Sequence, residues 1–532
     1  MGEKLYADFR DFSLGLNQKD GPTLILDQEL MDVENVILGK GFAQKRYGFE
    51  KYSTVLPNPI TKLYEYKKNS GTKEFLSVSN LQLYKDVSGT PTAITGALTS
   101  NTVKMLTYKD RNINDATLIA DGGSLKAYNG TSVSVVTPHV PTDGTGGTPL
   151  ETTDPGLNDL ANLTNFRTIA MKKDRVFAAA HPTVKNRVSF CYFDPYKGYA
   201  VYDYWPAIYF FDVAVEDNDE IVELKVFRNV LMIFCKKSVW ALRGDGVTLA
   251  DLELIKVNVP NGCIAPNSVQ EVGNNLFYLG DDHVYSLFAS EQEFVSAQIM
   301  STKVQPILKS IGITDKALAT SIFYDNKYYL SFPSGLTMVY DVTLESWTKF
   351  TNIKANSFLI RDGVLYFSAN TGYIYKFNEN LYSDDGQPIN YLLETKIFDF
   401  GLPINKKKFR RVFFITKDYD GFNTSFVPVL TIDQTLSIDL NQVDSGNSGI
   451  WDTSDWDEVE WEAHNNIKSG GSGIWDTSSW DEAVWDSRET TRTDYKIRQK
   501  GNDISVKITN NNLDEPLSIY GILFEYENKG IK

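Results

Sequence analysis

The residue types that carry most enzyme chemistry are sparse in this sequence of 532 residues. Its four histidines, His139, His181, His283 and His464, lack the HExxH spacing that brings two imidazole rings to one zinc ion. No phosphate-binding P-loop, dinucleotide-binding glycine motif or nucleophile elbow occurs. The sequence therefore predicts no catalytic residue, no cofactor and no metal site, and we expect a protein that is not an enzyme.

Two acidic stretches contain oxygen ligands of the kind that a hard cation prefers. They are VEDNDEIVE at residues 215–223 and LYSDDGQP at residues 381–388. Neither has the spacing of a calcium-binding loop, so solvated turns are the better interpretation. The three cysteines, Cys191, Cys235 and Cys263, are far apart and predict buried free thiols, although one disulfide stays open as an alternative.

A duplicated stretch is both acidic and aromatic. It reads SGIWDTSDWDEVEWE at residues 448–462 and SGIWDTSSWDEAVWD at residues 472–486. The repeat is too short, and its copies too few, for a WD-repeat signature. Each copy predicts a small hairpin pinned by indole rings, and the two hairpins could pack together as an appendage or form a ligand surface. The candidate interaction residues are Trp451, Trp456, Trp461, Trp475, Trp480 and Trp485.

One dense basic run, NKKKFRR at residues 405–411, stands in a chain of net charge −15. It could begin an exposed edge strand, where lysines discourage pairing between sheets. It could also contact an acidic patch on a neighbouring subunit, such as the tryptophan repeats, or contact DNA. The net charge argues against a surface that grips nucleic acid, whereas a negative lining would let DNA slide. The candidates are Lys406, Lys407, Lys408, Arg410 and Arg411.

The elements that must position these residues are strands, since short runs rich in Tyr and Phe alternate with Asn, Asp and Gly. Between residues 60 and 377 a pattern of strand, polar turn and strand recurs roughly every 45 residues. Turns such as RN, YDN and RDG suit two-residue hairpins, which need positive φ. Each copy closes on an aromatic residue: Tyr84, Tyr128, Phe193, Trp240, Tyr285, Tyr340 and Tyr375.

This pattern predicts an all-β protein with a β-propeller at residues 56–392. About seven blades is the best count; six or eight stay open, because an N-terminal strand could complete the last blade. A string of meanders forming sandwiches is the alternative. Residues 393–532 predict a C-terminal antiparallel β-sandwich or barrel, with the tryptophan-rich stretch at 440–490 as an insertion.

Residues 1–55 predict an arm on a neighbouring subunit or a cap on the propeller of the same chain. The stretch LDQELMDVENV at residues 26–36 predicts a short helix capped by Asp27, followed by a strand, a glycine turn and a second strand. We expect no signal peptide and no membrane span, because no run is apolar enough.

The same N-terminal segment carries a pattern of Gly-Leu-Asn, an acidic-Pro turn, Glu-Leu, Asn-Val and a Lys/Arg-Gly-Tyr strand. Its residues are Asn17, Asp20, Pro22, Leu24, Glu29, Asp32, Glu34, Asn35 and QKRYGFEKY at 44–52. In these positions the chain resembles the start of the propeller-containing nozzle or tail-hub proteins of short-tailed bacteriophages. The resemblance implies a homo-oligomeric ring, usually a hexamer, that meets the portal and adaptor and conducts DNA during ejection.

The resemblance also implies a location in the virion tail and synthesis in the bacterial cytoplasm. An alternative function is a carbohydrate- or receptor-binding module at a tail tip, which would use the tryptophan repeats. A third, an extracellular propeller glycosidase, would need a signal peptide and repeated carboxylate motifs that this sequence does not contain.

Overall fold

The computed structural model of the protein describes residues 3–109, 115–137, 164–173, 175–194, 199–206, 209–244, 252–288, 297–419, 425–440 and 490–530. Strands dominate these residues, and the helices among them have only one or two turns. The predicted all-β class is therefore confirmed.

The chain forms two compact units. Unit 1 contains Met1–Glu50, Met338–Thr351 and Asn378–Lys532, and unit 2 contains Lys51–Thr337 and Asn352–Phe377. Unit 1 therefore combines residues from both ends of the chain, whereas unit 2 is nearly continuous in sequence.

The strands are numbered in chain order through the described residues. The first six are β1 (Lys4–Phe9), β2 (Gly15–Leu16), β3 (Glu29–Glu34), β4 (Val36–Gly39), β5 (Phe42–Lys45) and β6 (Gly48–Lys51). The next are β7 (Ile60–Lys67), β8 (Lys73–Ser79), β9 (Gln82–Val87), β10 (Thr90–Ala97), β11 (Lys104–Lys109), β12 (Asp115–Ala120), β13 (Lys126–Tyr128), β14 (Val133–Val135), β15 (Thr168–Lys172), β16 (Arg175–Ala179), β17 (Arg187–Phe190), β18 (Tyr192–Asp194), β19 (Tyr199–Val201) and β20 (Phe210–Asp212).

Further strands follow up to residue 378. They are β21 (Ile221–Phe227), β22 (Val230–Cys235), β23 (Val239–Arg243), β24 (Glu253–Val257), β25 (Gln270–Val272), β26 (Asn275–Leu279), β27 (Val284–Phe288), β28 (Gln298–Ile299), β29 (Thr320–Tyr324), β30 (Lys327–Ser331), β31 (Thr337–Asp341), β32 (Ser346–Phe350), β33 (Ser357–Arg361), β34 (Val364–Ser368) and β35 (Ile374–Asn378). The last are β36 (Ser383–Asp384), β37 (Gln387–Pro388), β38 (Tyr391–Thr395), β39 (Lys407–Lys417), β40 (Val427–Ile432), β41 (Leu436–Asp439), β42 (Thr490–Gly501), β43 (Ile504–Asn510) and β44 (Ser518–Asn528).

Unit 2 is a series of small antiparallel sheets built from strands that are close in sequence. Five sheets have four strands each, in the orders β10-β9-β8-β7, β11-β12-β13-β14, β15-β16-β17-β20, β21-β22-β23-β24 and β25-β26-β27-β28. The β29–β30 hairpin and the strands β33-β34-β35 continue the series, while β18 and β19 form a separate hairpin. The described part of unit 2 thus contains seven consecutive groups of strands.

The predicted two-residue turns are confirmed in this unit. Both turn residues have positive φ at Arg228-Asn229, Asp325-Asn326 and Asp362-Gly363, and each turn joins two directly paired strands. A left-handed backbone at both positions gives the twist that such hairpins need, and Asn, Asp and Gly adopt it at little cost. The turn chemistry therefore fixes the register of these hairpins.

Most predicted closing aromatics lie at equivalent places in the groups. Tyr84, Tyr128, Trp240, Tyr285 and Tyr375 lie on the third strand of their groups, and Tyr340 lies on β31. Phe193 is the exception, because it lies on β18 in the separate hairpin and the third strand of its sheet is β17. For this repeat, the closing aromatic was therefore predicted one strand too late.

Consecutive groups of unit 2 share buried cores in chain order. The first sheet contributes Leu76 and Val78 to a core that also contains Ile119 of the second sheet. Similar cores join the second sheet to the third, the third to the fourth and the fourth to the fifth. Phe277 of the fifth sheet and Tyr328 of the following hairpin have ring centroids 5.4 Å apart. Each sheet therefore buries its apolar faces against its neighbours.

The series closes on itself, because the first group packs against the last. Ile60 and Phe75 share a core with Tyr366 and Ile374. Backbone hydrogen bonds support this closure: Tyr52 N–H donates to Ile374 O at 2.8 Å, and Leu56 N–H donates to Gly372 O at 2.9 Å. Unit 2 is thus propeller-like.

Unit 1 contains two large sheets that mix strands from both ends of the chain. One has the order β4-β5-β44-β39-β42, with β1 antiparallel to β44. The other runs β31-β32-β3-β38-β43-β40-β41, with β2 parallel to β3. The segment predicted as an N-terminal arm or cap supplies strands to both sheets.

Aromatic rings and one buried lysine hold unit 1 together. Phe9 stacks on Phe398 with ring centroids 3.9 Å apart, and Phe400 stacks on Tyr526 at 4.5 Å. The buried ammonium group of Lys45 donates to Asn510 Oδ1 at 2.8 Å, which links β5 to β43. Burial lowers the pKa of Lys45 to about 8.

The predicted helix at residues 26–36 is wrong. Residues Glu29–Glu34 form β3, which pairs antiparallel with β38. Asn35 has a φ of 57°, a left-handed backbone conformation that ends β3 before β4 begins. The local pattern of acidic and apolar residues fitted a helix, but pairing with a strand that is distant in sequence overrides it. The following strand, glycine turn and strand are confirmed as β4 and β5.

The helices that the structure describes are short. They are α1 (Gln305–Ser310), α2 (Ile313–Ala317) and the 3-10 turns Pro266–Ser268 and Thr302–Val304. None of the helices in the described ranges is long and apolar enough to cross a membrane.

Candidate functional site

The six tryptophans of the duplicated stretch lie outside the described residues, as do residues 441–489 around them. Whether they form hairpins or a ligand surface stays a prediction.

The predicted basic run lies at the start of β39. The interpretation of an exposed edge strand is wrong, because β39 lies between β42 and β44 in the first sheet of unit 1. Lys407 is fully buried and donates from Nζ to the carbonyls of Leu402 and Asn502, both at 2.7 Å. Desolvation lowers the pKa of Lys407. This lysine therefore has a structural role.

Both arginines of the basic run contact acidic residues of the same sheet. Arg410 forms an ion pair with Glu527, and Arg411 lies 3.4 Å from Asp494. Hydrogen bonds from Lys529 and Arg410 lower the pKa of Glu527 to about 2. A contact between these arginines and a neighbouring subunit would have to compete with these partners.

The remaining two lysines of the run differ in exposure. Lys406 is exposed, and its backbone N–H donates to Gly530 O at 3.3 Å. Lys408 is half-buried and pairs in register with Lys500 and Glu527. Lys406 is therefore the residue of this run that is best placed to meet a partner.

The residues of the N-terminal motif form two polar networks in unit 1. In the first, Asn17 Nδ2 donates to Asp20 Oδ2 at 3.0 Å and to Glu29 Oε2 at 3.1 Å. The same carboxylate oxygen of Glu29 accepts the backbone N–H of Leu26 at 2.8 Å. This network holds the acidic-Pro turn against β3.

The second network surrounds a buried ion pair. Arg46 Nη1 and Nη2 donate to the two carboxylate oxygens of Asp384 at 2.8 and 2.5 Å, and both side chains are almost fully buried. Arg46 Nε donates to Asn35 Oδ1 at 2.7 Å, and Asn35 Nδ2 donates to Thr351 Oγ1 at 2.8 Å and to Asn390 O at 2.7 Å. Buried polar atoms need such partners. The motif residues thus join three segments of unit 1 that are distant in sequence.

A different group of polar residues lies on the first strands of unit 2. The first strands of neighbouring groups contact one another, except that β21 contacts the 3-10 turn Pro266–Ser268 that precedes β25. These residues were not predicted from the sequence, although a polar residue recurs at the start of each repeat. Each first strand has one within its first three positions: Lys62, Lys104, Thr168, Glu223, Gln270, Ser321 and Ser357.

Four strands contribute to one cluster within this group. Lys104 Nζ on β11 forms an ion pair with Glu223 Oε2 on β21 at 2.6 Å. The hydroxyl of Thr168, on β15, donates to Glu223 Oε1 at 2.8 Å. On β7, Thr61 donates to Asn101 O at 2.7 Å, which ties the strand that carries Lys62 to the loop before β11. We call Lys62, Lys104, Thr168, Glu223 and Lys225 the inner-strand cluster.

The lysines of the inner-strand cluster influence one another. Lys225 follows Glu223 by two positions on β21 and so lies on the same face of that strand. Burial lowers the pKa of Lys62 to about 8, and the positive charges of Lys104 and Lys225 contribute. Burial and the charge of Lys104 also lower the pKa of Lys225. The inner-strand cluster therefore brings three lysines to one carboxylate, an arrangement suited to holding an anion.

The interpretation of the two acidic stretches as solvated turns is wrong for Asp219, Glu223 and Asp384, because all three side chains are buried and held by local contacts. In the first, Glu220 pairs with Lys185 and Lys236, and Asp219 accepts from the hydroxyl of Ser238 at 2.8 Å. In the second, Asp384 is the partner of Arg46. Among the residues that the structure describes, no group of three or more His, Cys, Asp or Glu side chains could hold a metal ion.

The histidines and cysteines also have local surroundings that explain them. His181 Nδ1 accepts the backbone N–H of Thr183 at 3.1 Å, and Ser301 Oγ lies 3.2 Å from His283 Nδ1. The other two histidines lie outside the described residues. The prediction of buried free thiols is confirmed for all three cysteines, and burial raises the pKa of each thiol to about 12.

No protein-family model and no curated protein matches the chain. Among solved structures, BamB from Moraxella catarrhalis has a TM-score of 0.37 at 11% identity, over 66% of this chain and 92% of BamB. The extracellular domain of the hybrid two component system BT4673 from B. thetaiotaomicron has a TM-score of 0.40 at 10% identity, over 68% of this chain and 42% of the other. The computationally designed Ika8 protein has a TM-score of 0.35 at 11% identity, over 62% and 99%. These TM-scores and identities are too low to support the architecture, which rests on the sheets of this chain.

Proposed function

We propose that this chain is a structural subunit of a bacteriophage tail, of the nozzle or tail-hub type. In this proposal, copies of the chain assemble into a ring, as a hexamer, and DNA passes through the ring during ejection. The ring meets the portal and adaptor in the virion, and the subunit has no catalytic role.

The observation that carries this proposal is the N-terminal motif together with its place in unit 1. Asn17, Glu29, Asn35 and Arg46 are buried and bonded to one another or to distant segments of the unit. Buried polar residues with such bonds are required by the architecture, so the motif indicates an architecture like that of the class, and the function follows by analogy with it. The propeller-like unit 2 agrees with a class whose members contain a propeller.

We also propose a finer description of the fold. The seven groups of strands in unit 2 are the blades of a seven-bladed propeller, since neighbours share cores and the first group packs on the last. The two large sheets of unit 1 are the layers of a β-sandwich, because the ring of Phe9 on β1 of the first sheet stacks on that of Phe398, whose backbone bridges to Ile504 of the second.

Mass measurement and electron microscopy of the purified protein test the assembly. We expect a particle of about six times the 60.0 kDa subunit mass, with a ring and an axial channel in class averages. A protein that stays monomeric from low to high micromolar concentration would contradict the proposal. The Lys406→Glu variant tests the exposed lysine of the basic run: if that residue contacts a neighbouring subunit, the ring dissociates at a higher concentration than the unmodified ring.

A further inference from the structure

The inner-strand cluster of unit 2 contains more positive charge than its own carboxylate can pair. Its single carboxylate, Glu223, already accepts from Lys104 and Thr168, and the charge of Glu223 also acts on Lys62 and Lys225. Lys62 and Lys225 form no ion pair or side-chain hydrogen bond with other residues in the described ranges, yet both are half-buried. Positive charges that are partly desolvated and unpaired are costly unless a counter-charge joins them.

We propose that the inner-strand cluster is a binding site for a small tetrahedral oxyanion of the phosphate or sulfate class. The anion lies between Lys62 and Lys225, and their ammonium groups donate hydrogen bonds to its oxygens. Lys104 supplies further positive charge while it stays paired with Glu223.

The side chains of the cluster favour this class of ligand. Each lysine offers three donors on a compact point charge and suits an oxyanion of any orientation. A planar carboxylate ligand is typically held by the two-pronged guanidinium group of arginine, which the cluster does not contain. Partial burial of Lys62, Lys104 and Lys225 favours a small ion over a polymer.

Calorimetric titration with sodium sulfate against sodium chloride of equal ionic strength tests the proposal. We expect saturable binding to the intact protein, and at least a tenfold loss of affinity in Lys62→Met and in Lys225→Met. The matched control is Lys309→Met, which removes an exposed lysine of the same unit, beside Asp282. No saturable binding, or equal affinity in all four proteins, would overturn the site.

Thermal unfolding separates loss of the site from loss of the fold. Because Lys62 is partly desolvated beside like charges, Lys62→Met should melt at the same temperature as the unmodified protein, or higher, without sulfate. Added sulfate should raise the melting temperature of the unmodified protein and of Lys309→Met, but not of Lys62→Met. If sulfate still raised the melting temperature of Lys62→Met, the anion would bind elsewhere and the assignment would be wrong.

The pH dependence gives an independent readout. Sulfate stays a dianion between pH 7 and 9, whereas Lys62 loses its proton as pH rises through a pKa of about 8. Sulfate affinity should therefore fall over this interval. The other titratable groups that face Lys62 or Lys225 are Lys104, Glu223 and Glu271, and the nearby Cys263 keeps its proton because burial raises its pKa to about 12.

A short single-stranded oligonucleotide distinguishes a free anion from a phosphate of nucleic acid. We expect no binding that depends on Lys62 or Lys225. If the oligonucleotide binds through these lysines and sulfate does not, the site belongs to nucleic acid and the proposal is wrong. Neither result bears on the ring, whose test is the mass of the assembly.

Discussion

At the scale of single residues, the ion pair between Arg46 and Asp384 constrains unit 1 most strongly. Its two hydrogen bonds match the fork of the guanidinium group to the carboxylate, and water is excluded from both side chains. Asp384→Ala would leave the positive charge of Arg46 buried without its counter-charge. We expect this substitution to lower the free energy of unfolding by about 3–5 kcal/mol in urea denaturation.

The matched control is an ion pair on the surface. Lys73 lies 2.8 Å from Asp362, and both side chains are largely exposed. Exposed pairs contribute little because water screens their charges, so Lys73→Ala should change the free energy of unfolding little. Equal losses for Asp384→Ala and Lys73→Ala would show that the buried network does not hold unit 1 together.

At the scale of elements, closure of the propeller-like series depends on a turn that approaches another backbone. Gly372 has a φ of 79°, and a Cβ added there would lie 2.1 Å from Leu56 O. Leu56 N–H donates to the carbonyl of the same glycine. Gly372→Ala should therefore displace the segment before β7 from the last group and destabilise unit 2.

Gly363 provides the control for this substitution. Its φ of 81° is equally unfavourable for alanine, but a Cβ there meets no atom within 4 Å. We expect Gly363→Ala to cost about 1–2 kcal/mol from the left-handed backbone alone, and Gly372→Ala to cost about 1–3 kcal/mol more from the clash. Thermal or urea unfolding measures both, and a Gly372→Ala protein no less stable than Gly363→Ala would contradict a closure at this turn.

The elements differ in how far the sequence could predict them. Turns such as Asp325-Asn326 were predictable, because residues that tolerate positive φ mark them locally. The strand β3 was not, because the pattern around Glu29 fits a helix until the pairing with β38 is known. Sheets such as those of unit 1, assembled from both chain ends, lie beyond local patterns.

The candidate sites show the same limit. The basic run was visible as a charge pattern, but its burial in β39 depends on β42 and β44, which come later in the chain. Lys62, Lys104 and Lys225 are ordinary lysines in the sequence, and only the closed series brings them to one carboxylate. A polar residue at the start of every repeat was the available signal.

At the scale of the whole molecule, the negative net charge of the chain opposes the binding of DNA. A chain of net charge −15 repels phosphates at long range, and the arginines of its basic run already have partners in their own sheet. Non-specific DNA binding by proteins has dissociation constants of about 0.1 mM to 1 µM and weakens steeply with salt, because bound phosphates release counterions. In the proposed function DNA passes through the ring, so the dissociation constant for DNA should lie well above that range.

We therefore expect fluorescence anisotropy of a labelled duplex to show no saturation below about 100 µM protein at physiological salt. Apart from the fully buried Lys407, the exposed Lys406 and the half-buried Lys408 are the remaining positive charges of the basic run, so a variant with both changed to glutamate should behave like the unmodified protein. Micromolar binding that weakens steeply with salt and is lost in this double variant would instead assign the run to DNA. In that case the ring would bind DNA through its basic run. DNA would then not slide freely past a surface that repels its phosphates.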